Sequence, residues 1–127
     1  MRPKQNEERY SRQKDIVPAE RIAACKATVI GVGAIGRQIA LQLTAMGIPW
    51  LQLIDFDVVE ESNLASQGYL EEDLAKLKVN ATANLCRKIS SGLEVHLVPE
   101  RVRRSMEIGN VVFCAVDTVR PVCLKLT

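Results

Sequence analysis

Apolar positions along this chain switch between two periods. Ala27-Thr28-Val29-Ile30-Gly31-Val32-Gly33 is a β-branched run ending in glycines, which predicts a buried strand closed by a tight turn. From Ala34 the spacing becomes helical. Ile35, Ile39, Leu43 and Met46 mark the inner face, and Gly47 followed by Pro49 ends the helix. Residues 50–57 form a second apolar run that closes on Asp55-Phe56-Asp57. The stretch 27–57 thus has the length of one βαβ unit, about 30 residues.

On either side the pattern is less regular. Residues 1–17 are polar, with arginine clusters and no apolar period, and are expected to form an N-terminal arm. Pro18-Ala19-Glu20 opens a short helix, and residues 18–127 are expected to form one nucleotide-binding domain. Residues 58–70 have no clean period and predict a loop. A helix is predicted over 73–89, with Glu71, Glu72 and Asp73 at its positive end and Leu74, Leu77, Ala81, Leu85 and Ile89 facing inward. Residues 93–98 and 110–116 predict a third and a fourth strand. Alternation of strand and helix argues an α/β fold, a Rossmann-like parallel sheet flanked by helices.

The first βα turn carries the chemistry. Gly31-Val32-Gly33-Ala34-Ile35-Gly36 is G-x-G-x-x-G, following a strand and opening a helix. In this arrangement Gly31 permits the tight turn, Gly33 lets backbone approach a phosphate, and Gly36 lets the helix pack against the strand. Backbone N–H groups at the helix start favour an anion. Asp55 stands nineteen residues after Gly36 at the end of the second strand, where a carboxylate can accept ribose hydroxyls. Asp57 is expected to cap the loop. The fingerprint does not separate ATP from NAD, since both carry ribose and phosphate.

Composition narrows the class. In 127 residues, 17 Lys and Arg against 15 Asp and Glu leave a net charge of +2, too small to imply a nucleic-acid partner. No apolar run approaches the ~18 residues of a membrane span. The polar start predicts no secretory leader, so Cys25, Cys86, Cys114 and Cys123 are expected to be buried, reduced thiols of a cytoplasmic protein. They contain no C-x-x-C pair, and with His96 they match no zinc spacing. His96 is expected to face solvent and Trp50 to lie in the core.

Beyond the glycine loop, longer blocks carry a family resemblance. Arg9-Tyr10-Ser11-Arg12-Gln13 is followed by the loop, then by Leu53-Ile54-Asp55-Phe56-Asp57-Val58-Val59-Glu60-Glu61-Ser62-Asn63-Leu64, Gln67, Lys76-Leu77-Lys78-Val79 and Val111-Val112-Phe113-Cys114-Ala115-Val116-Asp117. In this order the blocks resemble the ThiF/MoeB-type adenylating enzymes, the E1-like activators of ubiquitin-like and sulfur-carrier proteins. The resemblance implies ATP-dependent activation of the C-terminal carboxylate of a small β-grasp protein, giving an acyl-adenylate and pyrophosphate. It also implies roles for single residues. Asp55 would hold the ribose, Asn63 would contact the phosphates, Lys78 would stabilise their charge, and Asp117 would sit by Mg2+. Arg12 resembles the arginine that the family inserts into a partner subunit's site, which implies a homodimer.

Two departures from the family pattern stand out. Asn63-Leu64-Ala65-Ser66-Gln67 has Ser66 where the family places an arginine, and losing one positioned cation costs about two to three orders of magnitude in rate. After Asp117 the chain reads Thr118-Val119-Arg120-Pro121-Val122-Cys123, in which Pro121 would break a helix and Cys123 has no thioester context. The chain is therefore expected to be the nucleotide-binding half of an adenylating enzyme, poorly stable alone or dimeric. A non-catalytic nucleotide-binding or dimerisation subunit is the first alternative, and an NAD-binding oxidoreductase domain the second.

Overall fold

Residues 8–116 are described by a computed structural model of the chain. Their elements run α1 (Ala19–Ala23), β1 (Lys26–Ile30), α2 (Ala34–Met46), β2 (Trp50–Ile54), α3 (Ser62–Gln67), a 3-10 turn (Glu71–Asp73), α4 (Lys78–Ile89), β3 (Glu94–Val98) and β4 (Val111–Cys114). The four strands make one parallel sheet in the order β3-β2-β1-β4. Among the described residues, no helix is long and apolar enough to cross a membrane.

Strand alternation sorts the sheet into two faces. Ala27 and Val29 of β1, Leu51 and Leu53 of β2, Val95 and Leu97 of β3 and Phe113 of β4 point to one side. There they meet Ala40 of α2 and Val79, Ala83 and Cys86 of α4. Each fully buried Val or Leu in this layer contributes about 1.5–3 kcal/mol. The connection from β3 returns across the sheet to place β4 on the far side of β1. Strand order therefore reverses between β2 and β4, opening a crevice at the carboxyl end of β1.

The opposite face holds a polar pin. The Thr28 hydroxyl donates to Gln52 Oε1 at 2.7 Å and accepts from the Gly109 N–H at 2.8 Å, while Gln52 Nε2 donates to the Glu107 carbonyl at 3.0 Å. Thr28 and Gln52 are both buried. The pin ties β1 and β2 to the segment that leads into β4. Gly109 is required beside it, because a Cβ there would collide with the Lys26 carbonyl.

Several sequence expectations are corrected here. The helix predicted over 73–89 begins at Lys78. Asp73 instead accepts the Leu70 N–H at 3.1 Å and closes the 3-10 turn. Ala75 is left-handed (φ 69°), and its N–H, with the Lys76 carbonyl, bonds back to Val59. Ala81 is buried and Leu77 packs on the core as expected, but the face of α4 on the sheet is Val79, Ala83 and Cys86, and Leu74 and Ile89 are exposed. Residues 58–70 contain α3 rather than loop alone. On α2 the buried residues are Gly36, Arg37, Ala40 and Thr44, and Ile35 is 69% exposed. Gly36 and Ala40 let the helix lie close to the sheet, and Ile39 and Leu43 pack against the core as expected.

Smaller expectations divide in the same way. Trp50 is half-buried, stacked against His96 at 4.8 Å between ring centroids, and His96 is exposed as expected. Cys86 is buried and Cys25 half-buried, but Cys114 is exposed. Cys123 lies outside the described residues.

Residues 8–17 of the expected arm are coiled into turns against the amino end of the sheet. Gln13 Nε2 donates to the Met46 carbonyl at 2.7 Å, and the Tyr10 ring covers Gly47, which is left-handed (φ 96°). A side chain at Gly47 would meet both that ring and a strained backbone.

The pin makes a direct prediction. Thr28→Val keeps the volume but leaves Gln52 Oε1 and the Gly109 N–H without their partner, so unfolding stability in urea should fall by about 2–4 kcal/mol. A loss below about 0.5 kcal/mol, the range of an ordinary surface change, would show that the pin contributes little.

Candidate functional site

The site forms where β1 and β2 end. Gly31 leaves β1 with φ 90°, a conformation suited to glycine, and its N–H donates to the Ile54 carbonyl at 2.8 Å. A Cβ at Gly31 would crowd the Ala115 carbonyl and Val116, so the end of β4 closes one side of the loop. A Cβ at Gly36 would collide with the Gly31 carbonyl. Gly33 is the N-cap of α2, and no side chain caps the helix. The first N–H groups of α2 are thus open to an anion.

Asp55 braces this loop. Its Oδ2 accepts the Val32 N–H at 2.9 Å and its Oδ1 accepts the Asp57 N–H at 2.8 Å. Each oxygen keeps a lone-pair direction for a further donor such as a ribose hydroxyl. Asp57 connects onward, since its carbonyl accepts the Lys78 N–H at 3.0 Å and its carboxylate lies 3.9 Å from Lys78 Nζ.

Lys78 is only 6% exposed although it is the first residue of α4. A cation at a helix N-terminus opposes the helix dipole, and its partner Asp57 is half in solvent. Ordinary surface solvation does not account for a lysine in that position. Gly31, Gly33, Gly36, Asp55, Asp57 and Lys78 are therefore brought into one constellation by the chain of contacts Val32–Asp55–Asp57–Lys78.

The other expected site residues are not joined to this chain of contacts among the described residues. Asn63 Oδ1 accepts the Glu60 N–H at 2.8 Å and caps the turn before α3. The Ser66 hydroxyl donates to the Ser62 carbonyl at 2.7 Å, within its own helix. Arg12 is exposed between Tyr10 and Gln13, which hold the arm at the amino end of the sheet, across the domain from the glycine loop of the same chain. Asp117 lies outside the described residues.

Three further residues surround the loop, of which sequence reasoning singles out only Gln67, as a structural residue or a phosphate neighbour. The Tyr69 hydroxyl donates to the Val32 carbonyl at 2.5 Å and lies 3.2 Å from Thr82 Oγ1. Burial, reinforced by the Asp55 and Asp73 charges, pushes its pKa up from 10 to about 12. The Arg37 guanidinium lies over the Tyr69 ring at 5.2 Å. Gln67 places its amide against Gly33. One signal for Arg37 was available, a charge following the glycine motif immediately and three residues before the buried Ala40. Tyr69 had none, because it sits in a stretch without period.

Comparison with known proteins gives the family and the fold. The ThiF family model matches residues 10–122. The chain belongs to the ThiF family. Among curated relatives of this ThiF chain, bovine (Bos taurus) adenylyltransferase and sulfurtransferase MOCS3 is 41% identical over 93 residues, covering 68% of this chain and 20% of that protein. The SAMP-activating enzyme E1 of Haloferax volcanii is 33% identical over 104 residues, covering 77% of this chain and 38% of that protein. The ThiF chain thus spans about a fifth of the length of the MOCS3 proteins it matches. Among solved structures, Escherichia coli tRNA N6-threonylcarbamoyladenosine dehydratase, TcdA, in complex with ATP superposes with a TM-score of 0.81 at 25% identity. That match covers 94% of this chain and 53% of that one.

Tyr69 gives the prediction for this region. Tyr69→Phe leaves the buried Val32 carbonyl without its donor and should cost about 1–3 kcal/mol at neutral pH. Because the folded-state pKa is raised, stability from the neutral phenol is fully present below pH 10 and is lost as pH rises toward 12. The difference between wild type and variant, followed by thermal melts, should narrow over that window. A difference that stays constant to pH 12 would contradict the assignment.

Proposed function

We propose that this chain forms the nucleotide-binding half of an adenylating site. It binds ATP at the carboxyl ends of β1 and β2 and activates the C-terminal carboxylate of a small ubiquitin-like or sulfur-carrier protein of the β-grasp type. The observation that carries the reading is Lys78, a buried cation at the start of α4, linked through Asp57 and Asp55 to the uncapped glycine loop. The names of the relatives, adenylyltransferase and activating enzyme E1, support the same chemistry and weigh against an NAD-dependent oxidoreductase.

In this reading the carrier carboxylate oxygen attacks the α-phosphorus, the bond to the bridging oxygen breaks, and pyrophosphate leaves with the electron pair. Negative charge grows on the phosphates, so positioned cations and N–H donors stabilise the transition state more than the ground state. The loop amides cradle phosphate, Asp55 accepts from the ribose, and Lys78 neutralises the developing charge. Asn63 borders the phosphates from the turn it caps.

Magnesium fits the chemistry of the donors. Among the described residues no group of three His, Cys, Asp or Glu could cage a metal, but Mg2+ in nucleotide sites needs only one or two carboxylates beside phosphate oxygens and water. Asp117 is the carboxylate proposed to hold it, where it would offset phosphate charge. Arg12 serves the site of a second copy of the chain, because the arm holds it away from its own glycine loop. A non-catalytic module is the second reading, favoured by Ser66 bonding within its own helix rather than presenting a cation.

Pyrophosphate–ATP exchange tests the proposal. A carrier protein with a C-terminal glycine should stimulate exchange, and Lys78→Ala should lower it by about 10²–10³-fold. ATP binding without carrier-dependent exchange would favour the non-catalytic reading, and binding of NAD in place of ATP would overturn both. The arm is tested by complementation. Mixed Arg12→Ala and Lys78→Ala chains should recover exchange that neither shows alone, and no recovery would remove the role in trans.

A further inference from the structure

We propose that Arg37 is a phosphate-binding residue of this site, contributing the positive charge that α3 does not present. The inference rests on the nucleotide reading above and adds to it a cation drawn from α2.

Arg37 occupies the first turn of α2, its N–H bonded to the Gly33 carbonyl at 3.0 Å. The residue is 6% exposed, on the same inward stripe as Gly36 and Ala40. No carboxylate among the described residues pairs with it, and its buried Nε has no hydrogen-bond partner. The guanidinium lies over the Tyr69 ring at 5.2 Å, and Nη1 stands 3.4 Å from where a Cβ on Gly68 would sit. Beside it, the buried Gln67 Oε1 is also unpartnered, and the Gln67 amide lies against Gly33. Guanidinium and amide therefore share the crevice between the start of α2 and the end of α3, with the glycine loop as its wall.

A buried guanidinium without a counter-ion is costly, and a cation–π contact of about 0.5–2 kcal/mol offsets only part of that cost. Tyr69 does not neutralise it either, because the raised phenol pKa keeps that ring uncharged. The missing partner must be an anion able to reach the uncapped N-terminus of α2. A phosphate has the charge, the size and the paired oxygens that match a guanidinium fork. With Lys78 entering from α4 and Arg37 from α2, the phosphates of a bound nucleotide would lie between two buried cations. Ser66 then needs no charge of its own, since the arginine lies on a neighbouring helix instead.

The test compares ATP with adenosine, which carries the same base and ribose but no phosphate. Binding of both to the full-length chain is followed by calorimetry, with adenosine measured by displacement where it is weak. Arg37→Met should weaken ATP by about 10- to 100-fold and leave adenosine unchanged. Arg37→Lys, which keeps the charge but loses the fork, should fall between wild type and Arg37→Met, and it decides the matter if the methionine variant does not fold. Equal loss of ATP and adenosine affinity would make Arg37 structural and overturn the assignment alone. Failure of the wild-type chain to bind ATP would overturn the nucleotide reading and this inference with it.

Discussion

The close approach of Gly36 to the Gly31 carbonyl sets the geometry of everything around it. With no side chain at Gly36, the first turn of α2 lies directly against the end of β1. Ala40 and Thr44 continue the buried stripe, and Ile39 and Leu43 pack beside it. This closeness lets Val79, Ala83 and Cys86 of α4 share one apolar layer with Ala40 and the sheet. It also holds the uncapped N–H groups of α2 at the switch in strand order, where a parallel sheet offers a ligand crevice.

Charge is arranged around that crevice in an unusual way. Asp55 gives both oxygens to backbone N–H groups and so fixes the loop and the start of the next segment together. The cations, by contrast, are buried with little local compensation. Lys78 has a half-exposed carboxylate at 3.9 Å, and Arg37 has an aromatic ring. Burying charge this way lowers the stability of the domain itself. The same arrangement is what an anion-binding site requires, because donors already placed and desolvated need little reorganisation when charge develops. At these two side chains the proposed anion binding would therefore work against the stability of the fold itself.

The two ends of the sheet carry different tasks. The carboxyl end holds the glycine loop, Asp55 and Lys78. The amino end receives the arm through Tyr10 on Gly47 and Gln13 on the Met46 carbonyl, and Thr28, Gln52 and Gly109 pin β4 into place from the other face. Because the arm is anchored so far from the loop, an active-site role for Arg12 requires a second copy of the chain. Membership of the ThiF family, matched over residues 10–122, gives that geometry a chemical context while the chain spans only part of its longer relatives.

Local patterns in the sequence determined the parallel α/β architecture, the βαβ unit at 27–57, the glycine turn and its distance to Asp55. Each of these depends on side-chain period, turn chemistry or spacing over a few residues, which the chain carries wherever it folds. Tertiary structure decided the rest. Leu74 and Ile89 sit at helical spacing yet are exposed, because backbone pairing between 58–59 and 75–77 delays α4 until Lys78 and turns its face to Val79 and Cys86. Ile35 looks like a core residue but faces solvent, since Gly36 and Ala40 take the positions of α2 closest to the sheet while Ile39 and Leu43 pack at its side. The burial of Lys78 and Arg37 is the clearest case. Apart from the position of Arg37 directly after the glycine motif, neighbours along the chain do not distinguish a solvated charge from a buried one, because burial depends on which helices close over a side chain, and that is settled by contacts between residues distant in sequence.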